Sequence, residues 1–229
     1  MTKFPDNLFF LYQPKFYNDK IFGYEALLRA NENNTPVLPI KLLIENKGNT
    51  LFDYFIINSV INDLVKLPTS KINNLLISIN VSASLFSTPI DFSLINFELI
   101  NKFNLKLDFE ILESDSILDY EICNNNIKQL KKVGISVSID DFGKGDSSIR
   151  RLININNINF IKVDKVLIDD LIKNQSIVAK LRLLFNFINQ LNVKIIVEGI
   201  EDKKTLNALQ GLGIQYFQGF YLSKPHVIH

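Results

Sequence analysis

One cysteine and two histidines are all the soft metal ligands this 229-residue chain has. Cys123 cannot form an internal disulfide, and its neighbours Ile122 and Asn124 mark no nucleophile, so it reads as an ordinary helix residue. His226 and His229 sit together at the far end, and no Cys/His set for zinc exists. No charge of one sign dominates. The net charge is +1, which argues against binding polymeric nucleic acid through bulk electrostatics. No run approaches the roughly 20 apolar residues of a membrane span. The opening MTKFPDNLFF also lacks the apolar stretch of a signal peptide. The expectation is a soluble cytoplasmic protein. No proline- or glycine-rich linker and no internal repeat divides the chain, so one domain is expected over 1–229.

What is present fits a globular enzyme-sized domain: 47% hydrophobic and 21% charged residues. Asn, Ile and Lys are common, which reads as codon bias because the asparagines are dispersed. Apolar β-rich runs alternate with amphipathic segments. Strands are expected at 8–13, 20–28, 75–81, 106–112, 135–141, 158–164, 193–198 and 214–218. Helices are expected at about 37–47, 51–66, 91–102, 116–133, 147–154, 165–173, 175–191 and 202–211. The alternation argues a parallel α/β fold, and eight strands in one domain suit a barrel better than an open sheet. The first two strands differ. Only Tyr17-Asn18-Asp19-Lys20 joins them, too short for a crossover, so they form an antiparallel hairpin. Asn31 to Pro36 reads as a loop, and Asp202 as the cap of the last helix.

Polar residues recur at the downstream ends of these strands: Asn80, Glu110, Asp140-Asp141, Asp164, Glu198 and Gln218. In a parallel barrel those ends converge on one mouth, where the chemistry sits. Gathered carboxylates need compensation, and a divalent metal supplies it. Adjacent Asp140 and Asp141 repel unless neutralised. A shared carboxylate between two cations is the arrangement used for phosphoester displacement. A helix cap with a solvated neighbour is the competing reading. With Glu25, Asn80 and Glu110 the set becomes one of hard oxygen ligands suited to Mg²⁺ or Mn²⁺. Lys162 and Asp164, two apart on one strand, point the same way. The lysine could hold a water or a phosphate oxygen, or form a structural salt bridge. Glu198 is a further candidate ligand or base. Glu113 and Glu201 sit where helices begin, a position acids favour on other grounds.

In that order the motifs resemble the EAL-domain family of bacterial cyclic di-GMP phosphodiesterases, from Tyr12-Gln13-Pro14 to Ser223-Lys224-Pro225. Glu25-Ala26-Leu27 is the name-giving tripeptide, followed by Leu28-Arg29. Asn80 lies in SINVS, Glu110 and Glu113 match Glu-x-x-Glu, and Asp140-Asp141-Phe142-Gly143 matches DDFG. Lys162-Val163-Asp164 matches Lys-x-Asp, Glu198-Gly199-Ile200-Glu201 matches EGxE, and Gln218-Gly219 and Pro225 match the end.

The resemblance implies a modified (β/α)8 barrel with one antiparallel strand and hydrolysis of cyclic di-GMP to linear pGpG. It implies that Glu25, Asn80, Glu110 and Asp140 hold one metal, and that Asp140, Asp141 and Glu198 serve a second. Lys162 and Asp164 would position the attacking water, Asp164 also counting among the metal ligands, with the general base left open among the acids. Gln13, Arg29 and Gln218 would contact substrate. It implies a homodimer, with Glu113 anchoring the loop after DDFG. That loop departs from the family's usual T-G-Y-S-S-L, reading Lys144-Gly145-Asp146-Ser147-Ser148-Ile149. The change is either neutral variation or altered dimer coupling and turnover. The alternative function is a weakly catalytic module that binds cyclic di-GMP or a regulatory protein partner, although such relatives lose ligands that this chain keeps. A sugar-metabolising barrel has no motif here. With no sensor or cyclase domain in the sequence, control is expected from expression, a partner or an oligomer.

Overall fold

Asn18 and Asp19 close the first hairpin, with Asn18 in the left-handed region (φ 50°) that asparagine tolerates. The computed structural model describes residues 4–112, 116–144, 148–169 and 175–228. The hairpin pairs β1 (Leu8–Tyr17) with β2 (Lys20–Glu32) antiparallel, placing Gln13 opposite Glu25. The segment expected as a loop is different. β2 continues to Glu32, turns at Asn33 and Asn34, and pairs with a short β3 (Thr35–Val37). Both asparagines have positive φ, which lets two polar residues make a turn without glycine.

The remaining strands are β4 (Leu76–Val81), β5 (Lys106–Ile111), β6 (Ser136–Phe142), β7 (Phe160–Val163), β8 (Lys194–Val197) and β9 (Tyr216–Phe217). Each of the eight expected strands is found. Parallel pairing runs from β2 through β4 to β9, and β1 closes the ring between β2 and β9, antiparallel to both. The result is an eight-stranded barrel with β3 outside it. A backbone bridge between Tyr12 and His226 adds a second tie at the closure.

Helices follow the strands: α1 (Ile40–Glu45), α2 (Thr50–Leu64), α3 (Thr69–Ile72), α4 (Ala83–Phe86) and α5 (Phe97–Lys102). Then come α6 (Tyr120–Lys132), α7 (Ser148–Asn154), α8 (Gln175–Gln190) and α9 (Lys203–Gly211). The expected helix at 91–102 is split into a 3₁₀ turn and α5, and of 165–173 the described part is a 3₁₀ turn, Lys165–Leu167. α3 and α4, at four residues each, are too short for helical periodicity to register. α2 buries Phe52, Tyr54, Ile57, Val60, Ile61 and Leu64 against the barrel wall, as its apolar face predicts. Its buried Asp53 accepts from the Ser82 amide and hydroxyl, fixing the chain just beyond β4. Asp202 caps α9 as expected, accepting from the Thr205 amide. Cys123 is buried in α6, and burial pushes its thiol up to about 12, which removes it as a nucleophile. Among the described residues no helix is long and apolar enough to cross a membrane.

Candidate active site

Lys162 rises from β7 into the centre of the barrel mouth and is buried. Its Nζ lies 2.8 Å from Glu110 Oε2, 2.9 Å from Asp140 Oδ1, 3.0 Å from Glu198 Oε1 and 3.3 Å from Glu25 Oε2. Four strands thus deliver carboxylates to one ammonium. Burial alone would depress the lysine. Asp140, Glu110, Glu198 and Glu25 together hold it well above its ordinary value.

The carboxylates respond differently. Burial pushes Asp140 up to about 7, with Lys162 opposing and Glu110, Glu25 and Asp141 adding. Burial likewise lifts Glu198 well above the carboxylate range, with Lys162 opposing and Asp140, Glu25 and Glu110 adding. Glu110 goes the other way. Burial would raise it, but the ammonium groups of Lys15 and Lys162 hold it down at about 2. Four carboxylates, Glu25, Glu110, Asp140 and Glu198, against two ammonium groups, Lys162 and Lys15, leave the cluster short of positive charge.

The oxygen donors suit a hard cation. Glu25, Glu110 and Asp140 offer atoms within 4.8 Å of one another, and so do Asp140, Asp141 and Glu198. Asp140 belongs to both groups, the position of a bridging ligand. Asn80 donates to Glu25 Oε1 at 2.6 Å, yet its own Oδ1 is buried without a hydrogen-bond partner. Gln218 donates to Glu25 Oε2 at 2.6 Å, and its Oε1 is likewise unpartnered. An unsatisfied buried acceptor costs about 1–3 kcal/mol. A divalent cation beside Asn80 would satisfy one of them.

Adjacent residues on a regular strand face opposite ways, so Asp140 and Asp141 cannot both reach a site from an unbroken β6. The pairing of β6 with β7 slips between Ile139 and Phe142, and Asp141 takes a φ of 53°. This bulge turns the second carboxylate toward the mouth. Asp141 is half-buried. Burial lifts its pKa, Lys144 opposes, and Asp164 beside it adds to the rise. Asp164 follows β7 and also caps the next turn, accepting from the Val166 amide at 2.8 Å. Lys144 approaches both oxygens of Asp141 at 3.4 Å.

Gln13, Glu25, Glu198 and Gln218 line a cavity of about 180 Å³ together with Gly199, Glu201, Gly219 and Phe220. Gln218 also donates to Gln13 Oε1 at 3.3 Å. A larger groove, about 440 Å³, runs between Phe92, Phe97 and Lys132 on the outer wall, with no carboxylate lining it. Of the residues singled out in the sequence, Glu25, Asn80, Glu110, Asp140, Lys162, Glu198 and Gln218 meet directly. Gln13 joins through Gln218, and Asp141 through the bulge. Arg29, on the same face of β2 as Glu25, donates to the Leu28 carbonyl at 2.8 Å and does not touch the cluster. Glu201 pairs with Lys165 at 2.8 Å on the surface. Glu113 and Asp146 lie outside the described residues.

The sequence reading missed a second layer beneath the first. Lys15, Ser78, Asp108 and Ser138 are buried inside the barrel, and the last three each precede a site residue by two. That spacing is the signal that could have found them.

The family model for the EAL domain matches residues 5–225. Among characterised proteins, the chain is 28% identical over 228 residues to the cyclic di-GMP phosphodiesterase PdeR of Escherichia coli. That match covers 96% of this chain and 34% of the relative. It is 31% identical over 198 residues to the cyclic di-GMP phosphodiesterase TpdA of Vibrio parahaemolyticus, covering 86% of this chain and 33% of the relative. Among solved structures, the EAL enzyme Bd1971 in its cAMP- and cyclic-di-GMP-bound form superposes with a TM-score of 0.82. Identity is 27%, with 97% of this chain and 63% of that one covered. The chain spans about a third of the length of the two characterised relatives.

Proposed function

Because the chain belongs to the EAL domain family, we propose that it hydrolyses cyclic di-GMP to linear pGpG with the help of Mg²⁺ or Mn²⁺. The observation that carries this reading is the convergence of Glu25, Glu110, Asp140 and Glu198 on Lys162 at the barrel mouth. A protein that only bound the dinucleotide would have no use for a carboxylate cluster facing a dianionic ligand. Two divalent cations would neutralise the transferring phosphate and favour an in-line nucleophile. Glu25, Asn80, Glu110 and Asp140 are the residues to hold one, and Asp140, Asp141 and Glu198 the other.

The remaining roles follow from position. Lys162, protonated and buried, offers donors to a water or phosphate oxygen at the centre of the mouth. Asp164, next to Asp141, is placed to orient that water. Glu198, with Oε1 3.0 Å from Lys162 Nζ, is one of the acids among which the general base is left open. Gln13 and Gln218 line the small cavity and suit contacts to the diester. Arg29 reaches substrate only by leaving the Leu28 carbonyl. The domain is read as a single unit over 1–229, active as a homodimer in the cytoplasm.

The test is incubation of the purified chain with cyclic di-GMP and Mn²⁺, with chromatography for pGpG. Activity should vanish in excess chelator and return with metal. Glu25→Ala, at the mouth rather than in the core, should keep its circular dichroism and lose turnover at least about a hundredfold, the order removal of a transition-state contact costs. Full turnover in chelator would sink the metal mechanism, and an active Glu25→Ala protein would remove Glu25 from it.

A further inference from the structure

Glu110 differs from its neighbours in having each oxygen held by a different buried lysine. Oε2 faces Lys162 at 2.8 Å, on the side of the mouth. Oε1 faces Lys15 at 3.1 Å, on the side of the barrel floor. Lys15 has no exposed surface and reaches Glu110 from β1, two residues past Gln13. Because β1 runs antiparallel, two residues further along it is one layer deeper.

Lys15 is itself held. Its Nζ donates to the Ser78 hydroxyl, and Ser78 donates to Asp108 Oδ2 at 3.1 Å. Ser138 donates to Asp108 Oδ1 and Oδ2 at 2.9 and 2.8 Å. Below, the bulge between Lys15 and Phe16 leaves Phe22 with its ring 5.9 Å from the ammonium. A lysine with four flexible bonds thus has one direction left, toward Glu110. A buried ammonium is costly to keep, and this one touches no substrate-facing surface.

We infer that Lys15 is a positioning residue: it pins Oε1 of Glu110 from beneath, so that Oε2 alone is presented to a cation at the mouth. The inference rests on the proposed role of Glu110 as a metal ligand. Partners of this kind orient ligands, and losing one typically costs about 10–100-fold in metal affinity.

The experiment is calorimetric titration of the chelator-treated full chain with Mn²⁺ alone. Lys15→Met keeps the length of the side chain and removes its charge. It should bind Mn²⁺ about 10–100-fold more weakly. KM for cyclic di-GMP at saturating Mn²⁺ should stay within about twofold, because Lys15 lies below the substrate. Ser138→Ala, at the same depth but not in contact with Lys15, should bind Mn²⁺ within about twofold of wild type. Where circular dichroism finds Lys15→Met unfolded, Lys15→Met/Asp108→Asn removes both buried charges and takes its place under the same criterion. A folded variant with wild-type Mn²⁺ affinity overturns the inference. So does a loss in Ser138→Ala equal to that in Lys15→Met, which would make the effect one of packing. Glu110→Gln separates the two levels. If it binds Mn²⁺ like wild type, the ligand reading falls and takes Lys15 with it. If it loses affinity while Lys15→Met keeps it, only the role of Lys15 falls.

Discussion

Asp140 is shared by both oxygen groups, so its protonation would link stability to binding of the proposed metal. Its pKa rises from an unfolded value near 3.8 to about 7. Below pH 4 the carboxyl is neutral in both states. Between 4 and 7 the folded protein must keep a proton or bear an unfavourable charge, so this contribution to stability is lost as pH rises. Glu110, depressed to about 2, acts oppositely: its contribution is present above its ordinary value near 4.5 and is lost as pH falls towards 2. In chelator, Asp140→Asn should therefore raise the melting temperature at pH 8, by about 2 kcal/mol or about 4–8 °C. At pH 4 the gain should be near zero. Added Mn²⁺ should stabilise the wild type and not the variant. Thermal scans at both pH values check this, and a variant that melts lower at pH 8 would contradict it. Lys144 stands beside the same cluster, half-exposed, 3.4 Å from Asp141. An ion pair of that exposure is worth about 0–1 kcal/mol and is screened by salt. Lys144→Thr should lower the Mn²⁺ concentration for half-maximal hydrolysis by at most about fivefold, and the difference should shrink in 0.5 M salt. A change larger than that, or one indifferent to salt, would mean the lysine acts on something other than Asp141.

Among elements, the approach of the segment after β9 to the segment after β8 sets the shape of the small cavity. The Ile200 amide donates to the Gln218 carbonyl, and the Tyr221 amide donates to the Ile200 carbonyl. Gly219 lies between these bonds. A Cβ there would come within 2.3 Å of the Ile200 backbone nitrogen and oxygen. No side-chain motion relieves a backbone clash, so Gly219→Ala must push apart the two segments that carry Glu198 and Gln218. We expect a loss of about 1–3 kcal/mol in urea unfolding, with turnover falling more than stability alone explains. An alanine variant of wild-type stability and rate would show that the approach is not needed. The bulge in β6 is the other element that shapes the site, because it converts two opposed carboxylates into neighbours.

At the scale of the molecule, the ring of strands was legible because most are short apolar runs ending in a polar residue, and the site because those ends carry the residues that meet at its mouth. The bulge was not legible: Asp140-Asp141 written in a row says nothing of where each side chain points. Lys15 was hidden for a related reason. A lysine in Gln13-Pro14-Lys15 reads as a solvated surface charge until β1 is known to run backwards into the barrel. Asp108 and Ser138 carry the right spacing, but a polar residue two before a ligand is common on strands that face water. Arg29 illustrates the reverse, a motif residue whose hydrogen bond goes to its own strand. The way the ring closes also bears on how the protein comes into being. Strands β2 and β4 to β8 pair with near neighbours in the chain, whereas Gln13 and Gln218 meet across 205 residues. So distant a pairing forms slowly, after local ones have removed most of the chain's freedom. On that ground we expect the acids of the mouth to assemble first during synthesis, while β1 and β8 still present open edges prone to mispairing. Asn80 meets Glu25 from the neighbouring β4, but the Gln218 amide that holds its other oxygen arrives only when β9 docks, so the finished pocket certifies that the barrel has closed.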